Sequence, residues 1–368
     1  MKPGQIRFAN AFALKVPLIK PMLMSGTRIT HAETLVIRLE TYSGIIGWGE
    51  TTSAPSHGGQ SLEDMYRVFN TELHVNLLNK DIQDLSGLTR SLLQKYPKAG
   101  GAIAAIDIAL YDALGKYLDV PAYTLMGGKK RDQVAPLWLI GTSSVESDLA
   151  ETKKYFDQGY HFFKLKLGVK SLEEDIQSAL GIRQVIGAEG KICADANTGY
   201  TTEAAITFLE GTAAANLEFL EQALAKENYE GLKKICSLNI APIGLDESIT
   251  STADIIHSKS YGVSGVSLKT LKLGGISGVL HNANLCDALS LQINLAGKIA
   301  ETSIASAAVL QLSAALNELN WGVSPSHLYL LEDIVDVPQR PQNGMYAIPH
   351  KPGLGIDVNE SKLDRFKA

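Results

Sequence analysis

The sequence has few cysteines, no long uncharged apolar run and no strongly basic segment. Its three cysteines are an odd number in a chain of 368 residues and show no paired spacing, which predicts a reducing compartment rather than a disulfide framework. We expect all three, Cys193, Cys236 and Cys286, to act as buried apolar residues. No segment approaches the roughly 18 uncharged apolar residues that a membrane span requires, so we expect no membrane partner.

The charge balance argues against a nucleic-acid partner. The formal net charge is −5, and no run of Lys and Arg is dense enough to bind a phosphate backbone. Lys15 interrupts the apolar stretch FANAFALKVP, and no small-residue cleavage site follows it. We therefore expect no signal peptide, a cytoplasmic location and a small-molecule substrate.

The first 130 residues predict an α+β domain. Segments that alternate apolar and polar residues predict a three-stranded antiparallel meander, and these are 6–16, 32–41 and 45–52. Apolar residues at helical spacing follow, and Gly127 with Gly128 ends the block. The helical segments are 61–78, 84–96 and 101–118.

From Val134 onward, strand-like and helix-like segments alternate about every 25 to 30 residues, which is typical of βα units. Eight such strands predict a closed (β/α) barrel, whose active site lies at the carboxyl ends of the strands. After Leu328 no further βα unit follows, and we expect this tail to pack on the first domain. The predicted domains are 1–130, 131–327 and 328–368. The predicted strands are 134–140, 162–167, 191–195, 217–221, 241–246, 263–269, 291–297 and 320–324.

Three acidic residues recur about one βα unit apart, each after a short apolar run: Asp195, Glu221 and Asp246. On parallel strands they would share one rim. Three carboxylates without a nearby His or Cys favour Mg²⁺, or Mn²⁺, over zinc. Any one acid alone could equally be a helix cap or an ion-pair partner. Asn197 is a candidate to bind water or orient a ligand, whereas Glu247 is disfavoured because adjacent strand residues point to opposite faces.

Lysines flank the acids along the chain. Lys164 and Lys166 are two residues apart and share one face of a strand, which in a barrel is the interior. A like-charged neighbour and a divalent cation would both lower a buried lysine's pKa towards the range of a general base. Alone, such a pair is typical of an edge strand with solvated lysines, but the acids in neighbouring units favour catalysis. Lys269, one unit after Asp246, could face Lys166 across the cation.

Short motifs extend this pattern over nearly the whole chain: GWGE at 47–50, AAIDIALYDALGK at 104–116, LMGG at 125–128, FKLKLG at 163–168, ADAN at 194–197, LEQ at 220–222, DES at 246–248, SLKTLKLGGIS at 267–277 and PGLGI at 352–356. In this order they resemble the enolase superfamily, and within it the muconate lactonizing enzyme (muconate cycloisomerase) subgroup of the mandelate racemase/muconate lactonizing enzyme family. The resemblance implies an α/β fold, a (β/α)7β TIM-like barrel with an α+β N-terminal capping domain. It also implies a homo-oligomer, since family members are commonly dimers or octamers.

The resemblance also assigns roles to the candidate site. It implies Mg²⁺ bound by the three acids, and two acid/base lysines, Lys166 and Lys269, on opposite faces of the substrate, with Lys164 assisting electrostatically. The mandelate racemase pattern uses a His after the seventh strand, but 293–303 holds none. Dipeptide epimerases carry Asp-x-Asp near the last strand, and its absence from 322–330 makes dipeptides less favoured substrates.

Other candidate contacts lie near these motifs. Glu301 matches a family position near the site, although an acid in the first turn of a helix is the alternative reading. Two capping segments, 21–31 and 51–59, are rich in the Gly, Ser and Thr of mobile loops and are expected to set substrate choice. Within or beside them, Arg28 and Lys20 could bind a second anionic group, while His31 and His57 could contact substrate.

The resemblance implies removal or delivery of the α-proton of a small carboxylate through a metal-stabilised enolate. We expect a muconate cycloisomerase-like isomerase. A racemase or epimerase of amino acid derivatives (N-acylamino acid or proline-type) and a dehydratase are the alternatives on the same scaffold. A Schiff-base aldolase and a non-catalytic relative are rivals from other classes; the acidic triad argues against the first and the intact lysines and acids against the second.

Overall fold

The computed structural model describes residues 2–24, 27–55, 59–141 and 144–368. An antiparallel sheet with helices forms the N-terminal part, and a barrel of parallel strands follows it. Within these residues no helix is long and apolar enough to cross a membrane.

The N-terminal sheet is the predicted meander. Its strands, β1 (Ile6–Met24), β2 (Thr27–Thr41) and β3 (Ile46–Thr52), pair antiparallel in that order. Leu14 and Val16 are buried and Lys15 between them is exposed, as the period of a strand requires. Both β1 and β2 run further than predicted, so most of 21–31 is a β-hairpin rather than a loop. β-branched Ile29 and Thr30 favour this extended conformation.

Helices pack on one face of this sheet. The predicted helix 61–78 is divided by a π-helical turn, Phe69–Leu73, into α1 (Leu62–Val68) and α2 (His74–Leu77). The remaining helices of this part are α3 (Leu85–Lys95), α4 (Gly100–Tyr117) and α5 (Ala122–Leu125). Most of α4 is buried and lies close against β3: a Cβ on Gly49 would lie 1.9 Å from the carbonyl oxygen of Ala105. This contact explains why the GWGE motif needs glycine.

After a short strand, β4 (Gln133–Val134), eight parallel strands form one sheet in sequence order, and a bridge between Pro136 and Val323 joins its first and last strands. The strands are β5 (Leu137–Ile140), β6 (Phe162–Lys166), β7 (Lys191–Asp195), β8 (Leu220–Glu221), β9 (Ile243–Leu245), β10 (Gly265–Leu268), β11 (Gln292–Ala296) and β12 (Val323–Ser324). The connecting helices are α6 (Val145–Phe156), α7 (Leu172–Ile186), α8 (Thr202–Gly211), α9 (Tyr229–Ser237), α10 (Thr252–Ser260), α11 (Thr270–Leu273), α12 (Ile276–Ala288) and α13 (Ser303–Ala315). This is the predicted (β/α)7β TIM-like barrel with an α+β capping domain.

The C-terminal tail returns to the earlier parts of the chain. Its strand β13 (Tyr346–Ala347) pairs with β4, and α14 (Glu360–Arg365) ends the chain. The amide of Lys15 donates to the carbonyl of Phe366 at 2.8 Å, so the tail contacts the capping sheet. The exact domain limits, 1–130, 131–327 and 328–368, stay a prediction.

Buried acids hold the capping domain on the barrel. Glu50, at the end of GWGE, accepts hydrogen bonds from the backbone amides of Thr302 (2.8 Å) and Ala305 (2.9 Å) at the start of α13. Asp107 of α4 accepts from the amide of Ser277 (2.9 Å) at the start of α12. Helix amino termini favour negative charge, so both acids fix the capping domain over the barrel. Burial raises the pKa of both, that of Asp107 to about 6.

The cysteines form no disulfide in the structure. Cys193 and Cys286 are buried and Cys236 is half-buried. The apolar role predicted for them therefore fits the first two fully and the third in part.

Candidate active site

The three predicted acids meet at one rim of the barrel. Asp195 ends β7, Glu221 ends β8, and Asp246 directly follows β9. Their strands are neighbours, and Asp195 lies opposite Glu221 in the parallel register. All three are buried, with exposed fractions of 1% to 3%. The prediction that these side chains emerge together is therefore correct.

The lysines stand on both sides of the acids. Lys166 Nζ lies 2.5 Å from Asp195 Oδ2, and Lys269 Nζ lies 2.6 Å from Asp246 Oδ2. Lys164 donates to Glu221. In a closed barrel of eight strands β6 and β10 are four strands apart, so Lys166 and Lys269 face each other across the barrel mouth. β6 lies between β5 and β7, and Lys164 is buried, so the edge-strand alternative is wrong.

These ion pairs decide the charge state of two of the acids. Burial raises the pKa of Asp195, but Lys166 and Lys164 together more than offset this, and the pKa is lowered. For Asp246, Lys269 and Lys272 together outweigh burial and hold the pKa well below its usual range. For Glu221 burial prevails, and its pKa is raised.

The carboxylates in turn favour charged lysines. Burial lowers the pKa of Lys164, but the negative charges around it, first Glu221 and then Asp195, together outweigh burial and leave that pKa raised. Lys269 behaves in the same way beside Asp246. The expected lowering of the lysine pKa depends on a bound divalent cation, which would compete with these lysines for the carboxylates. That lowering stays a prediction.

The acids fit a hard cation by their chemistry. They are buried, they offer only oxygen, and they end three neighbouring strands, which suits Mg²⁺ or Mn²⁺. As the side chains stand, no group of three or more His, Cys, Asp or Glu in the described ranges is arranged to hold a metal ion. Each carboxylate is directed at a lysine instead, so metal binding would have to exchange these ion pairs.

Asn197 joins both sides of the site, as its position after β7 suggested. Its side-chain oxygen accepts from Lys166 at 2.8 Å, its side-chain nitrogen donates to Glu247 Oε1 at 3.0 Å, and its backbone amide donates to Asp195 Oδ1 at 2.9 Å. The opposite-face argument against Glu247 fails because β9 ends at Leu245. Burial and the charge of Asp246 raise the pKa of Glu247 to about 7.

Glu301 lies in the segment between β11 and α13 and is buried. It is not a first-turn helix acid, because α13 begins after it with Thr302 as the capping residue. Its Oε2 has no hydrogen-bond partner among the described residues. Burial and the charge of Glu50 raise the pKa of Glu301 to about 8.

The central cavity is not lined by Arg28, Lys20 or His31, the described capping residues proposed as substrate contacts. Arg28 is an exposed residue of β2, where it pairs with Leu23. Lys20 is exposed and forms an ion pair with Glu151 at 3.5 Å. His31 is also exposed. The hairpin that replaces the predicted loop accounts for these positions; His57 lies outside the described residues.

Three candidate functional residues were not identified from the sequence. Lys272 places Nζ 2.6 Å from Asp246 Oδ1, and the hydroxyl of Ser267 donates to Glu221. Both lie inside the motif SLKTLKLGGIS, which was the available signal. Lys298, after β11, lines the same cavity at the mouth of the barrel as Lys166 and Lys269. It was not identified because a lone lysine in a loop gives no signal in the sequence.

The central cavity has a volume of about 60 Å³ and opens at the carboxyl ends of the strands. Charged and amide groups line one side and mainly apolar and hydroxyl groups the other. The lining residues are Leu137, Leu139, Lys164, Lys166, Asp195, Asn197, Asp246, Lys269, Ala296, Gly297, Lys298, Ile299, Ser324, Pro325, Ser326 and Tyr329.

Comparison with known proteins agrees with this geometry. Residues 9–127 match the family "Mandelate racemase / muconate lactonizing enzyme, N-terminal domain", and residues 148–362 match "Enolase C-terminal domain-like". In solved structures, the muconate lactonizing enzyme from Pseudomonas fluorescens complexed with muconolactone superposes with a TM-score of 0.93 at 25% identity, covering 100% of both chains.

Three relatives with assigned activities are isomerases. Muconate cycloisomerase 1-2 of Acinetobacter lwoffii is 29% identical, over 99% of this chain and 96% of its own length. L-Ala-D/L-Glu epimerase of Bacillus subtilis is 27% identical (93% and 94%), and N-succinyl-L-Arg/Lys racemase of Bacillus cereus is 25% identical (98% and 98%). The chain therefore belongs to the enolase superfamily, in the muconate lactonizing enzyme subgroup of the mandelate racemase/muconate lactonizing enzyme family, and is an isomerase.

Proposed function

We propose that this protein is a Mg²⁺-dependent isomerase that transfers a proton at the α-carbon of a small carboxylate through an enolate, as a muconate cycloisomerase would. The observation that carries the proposal is the pair of lysines, Lys166 and Lys269, on opposite strands of the barrel and lining one cavity. A substrate carbon between them would meet an ammonium or amine group on each face.

Asp195, Glu221 and Asp246 are the residues that would hold the cation. When bound, Mg²⁺ would supply positive charge that stabilises the enolate oxygen. The chain's own lysines would have to leave these carboxylates, which frees Lys166 and Lys269 to approach the substrate.

The α-proton of a carboxylate is very weakly acidic, so electrostatic stabilisation must supply most of the rate enhancement. A positioned lysine adds a factor of roughly 10² to 10⁴. Asn197 orients Lys166 by accepting its hydrogen bond, and Lys164 adds positive charge on the same face of β6. Water is restricted because the cavity is narrow, with a volume of about 60 Å³.

A racemase or epimerase of amino acid derivatives is the second candidate. The same opposed lysines favour it, since removal of the proton on one face and its return on the other inverts the carbon. The relatedness of the epimerase and the racemase also supports it. A dehydratase would need, in addition, a leaving group at the β-carbon of the substrate.

A substrate screen in D₂O tests the proposal. Muconates, N-acylamino acids and proline derivatives are incubated with the enzyme and Mg²⁺, and NMR detects deuterium at the α-carbon or a new product. We expect deuterium incorporation or lactone formation in one class, and none when EDTA removes the metal. Exchange that is unaffected by EDTA would contradict the proposed metal dependence.

A further inference from the structure

Lys298 differs from the other lysines of the cavity. Lys164, Lys166 and Lys269 each form an ion pair with a carboxylate of the rim. Lys298 forms none with the carboxylates that the structure describes, and its Nζ donates one hydrogen bond, to the backbone carbonyl of Ser53. An ammonium group has three donors, so Lys298 retains donors, and its charge is in no ion pair with a described carboxylate.

The position of Lys298 in the barrel determines on which side of the cavity this charge lies. Lys298 follows β11, and β11 lies four strands from β7, which carries Asp195, in a closed ring of eight. It is therefore on the opposite side of the cavity from that acid. The remaining lining at this end comes from β5, β11 and β12 and carries no charge in the described residues: Leu137, Leu139, Ala296, Gly297, Ile299, Ser324, Pro325, Ser326 and Tyr329.

The backbone at Lys298 is held in place. The hydroxyl of Ser326 donates to the carbonyl oxygen of Lys298 at 2.7 Å and accepts from the amide of Glu301 at 3.0 Å. The side chain can move while its backbone stays fixed, because its contact with Ser53 is a single hydrogen bond to a neutral carbonyl. A carboxylate is a stronger acceptor for an ammonium than a carbonyl.

We propose that Lys298 is a specificity-determining residue that binds a second carboxylate of the substrate, across the cavity from Asp195 of the acidic rim. The inference rests on the proposed function, in which the first carboxylate of the substrate lies at that rim. A dicarboxylate, which a muconate already is, is then favoured over a monocarboxylate. On binding, Lys298 exchanges the Ser53 carbonyl for the substrate carboxylate.

The electrostatic surroundings agree with this role. Burial, followed by the charge of Lys269, lowers the pKa of Lys298 to about 8 against the smaller, opposing effects of Glu301 and Glu33, so most of it is protonated at pH 7. Glu301, the nearby buried acid, has its pKa raised to about 8 and is mostly neutral at that pH. The positive charge at this end of the cavity is therefore available to an anion.

Equilibrium binding tests the subsite without turnover. Calorimetry with Mg²⁺ present compares succinate, glutarate and adipate with butanoate, pentanoate and hexanoate, pairs that differ only in the distal carboxylate. For at least one chain length we expect the dicarboxylate to bind about 10- to 100-fold more tightly, the usual range for a charge-assisted hydrogen bond. In Lys298→Met that preference should disappear while monocarboxylate affinity stays within about twofold, and Lys298→Arg should keep it.

Three results would overturn the proposal. One is a wild-type protein with no preference for any dicarboxylate; another is an equal preference in wild type and Lys298→Met. The third is an equal loss of affinity for both members of a pair, which would mean that Lys298 only ties the barrel to the capping segment through Ser53. If Lys298→Met does not fold, Lys298→Gln replaces it.

Turnover separates this subsite from the proposed function. With any dianionic substrate found by deuterium exchange, Lys298→Met should raise KM about 10- to 100-fold and change kcat little, because the distal contact is made equally before and during proton transfer. Exchange that persists with an unchanged KM would contradict the subsite and leave the isomerase intact. Absence of exchange in the wild type for every class tested would contradict the proposed function, while the binding result would still stand.

Discussion

At the scale of single residues, the site is a set of buried charges that compensate one another. Asp195, Glu221 and Asp246 are almost fully buried, and each has a lysine partner. Burying an unpaired charge is costly, so the pairs stabilise the rim before any ligand binds. The same carboxylates are the proposed metal ligands.

Metal binding is the first prediction at this scale. Asp195→Asn, Glu221→Gln and Asp246→Asn should each weaken Mg²⁺ binding at least about tenfold, because an amide oxygen carries no charge for a hard cation. Calorimetric titration measures the affinity. Asp254→Asn, which changes an acid in the first turn of α10 rather than one that ends a barrel strand, is the control. Unchanged affinity in all three rim variants would remove the basis for the metal site.

The buried Glu301 predicts a pH effect on stability. Its folded pKa is raised to about 8 from 4.5, so the folded state holds a proton that the unfolded state has lost between these values. Stability contributed by this group is therefore lost as the pH rises from about 4.5 towards 8. The melting temperature of Glu301→Gln minus that of the wild type should therefore be larger at pH 9 than at pH 4. A difference in melting temperature that does not change with pH would count against this assignment.

At the scale of elements, the contact of β3 with α4 positions the capping domain. Gly47 and Gly49 let the strand lie against the helix, where a Cβ on Gly47 would come within 2.3 Å of the Ala109 carbonyl oxygen. Glu50 follows on the same strand and binds the start of α13. One short strand thus connects the capping helix to the barrel helix that follows Lys298 and Glu301.

Gly49→Ala tests this contact. The added methyl group would meet the α4 backbone at 1.9 Å, so strand and helix must separate, and we expect the free energy of unfolding to fall by roughly 1 to 3 kcal/mol. Gly100→Ala is the matched control, because a Cβ there meets nothing within 4 Å. Denaturant unfolding gives both values; an equal effect of the two substitutions would show that the close approach is unimportant.

Much of the element order followed from the sequence. The strands and acids were predictable because βα units repeat at a regular interval and each acid follows a short apolar run, as at Asp195. Two local features were not predictable: the π turn that divides 61–78 and the hairpin at 21–31. Helical spacing and turn residues do not report such local adjustments. Arg28 therefore lies in a strand rather than in the predicted loop, and its contact with substrate stays a prediction. Lys298 was missed because its partners lie far away in sequence.

At the scale of the whole molecule, the expected homo-oligomer and the cytoplasmic location stay predictions. The prediction of a homo-oligomer rests mainly on the resemblance to the family, whose members are commonly dimers or octamers. Light scattering at micromolar concentration should give a mass at least twice the 39.6 kDa of the chain. A monomer mass under these conditions would contradict it.

The central claim is that Lys166 and Lys269 act on opposite faces of one α-carbon. If the enzyme is a racemase or epimerase, Lys166→Ala should abolish deuterium exchange with one substrate enantiomer and spare the other, and Lys269→Ala should show the reverse. If it is a cycloisomerase, one variant should lose all exchange and the other only rate, because a single lysine then transfers the proton. NMR in D₂O measures each case. Equal, modest losses in both variants would mean that neither lysine is a base, and would contradict the account.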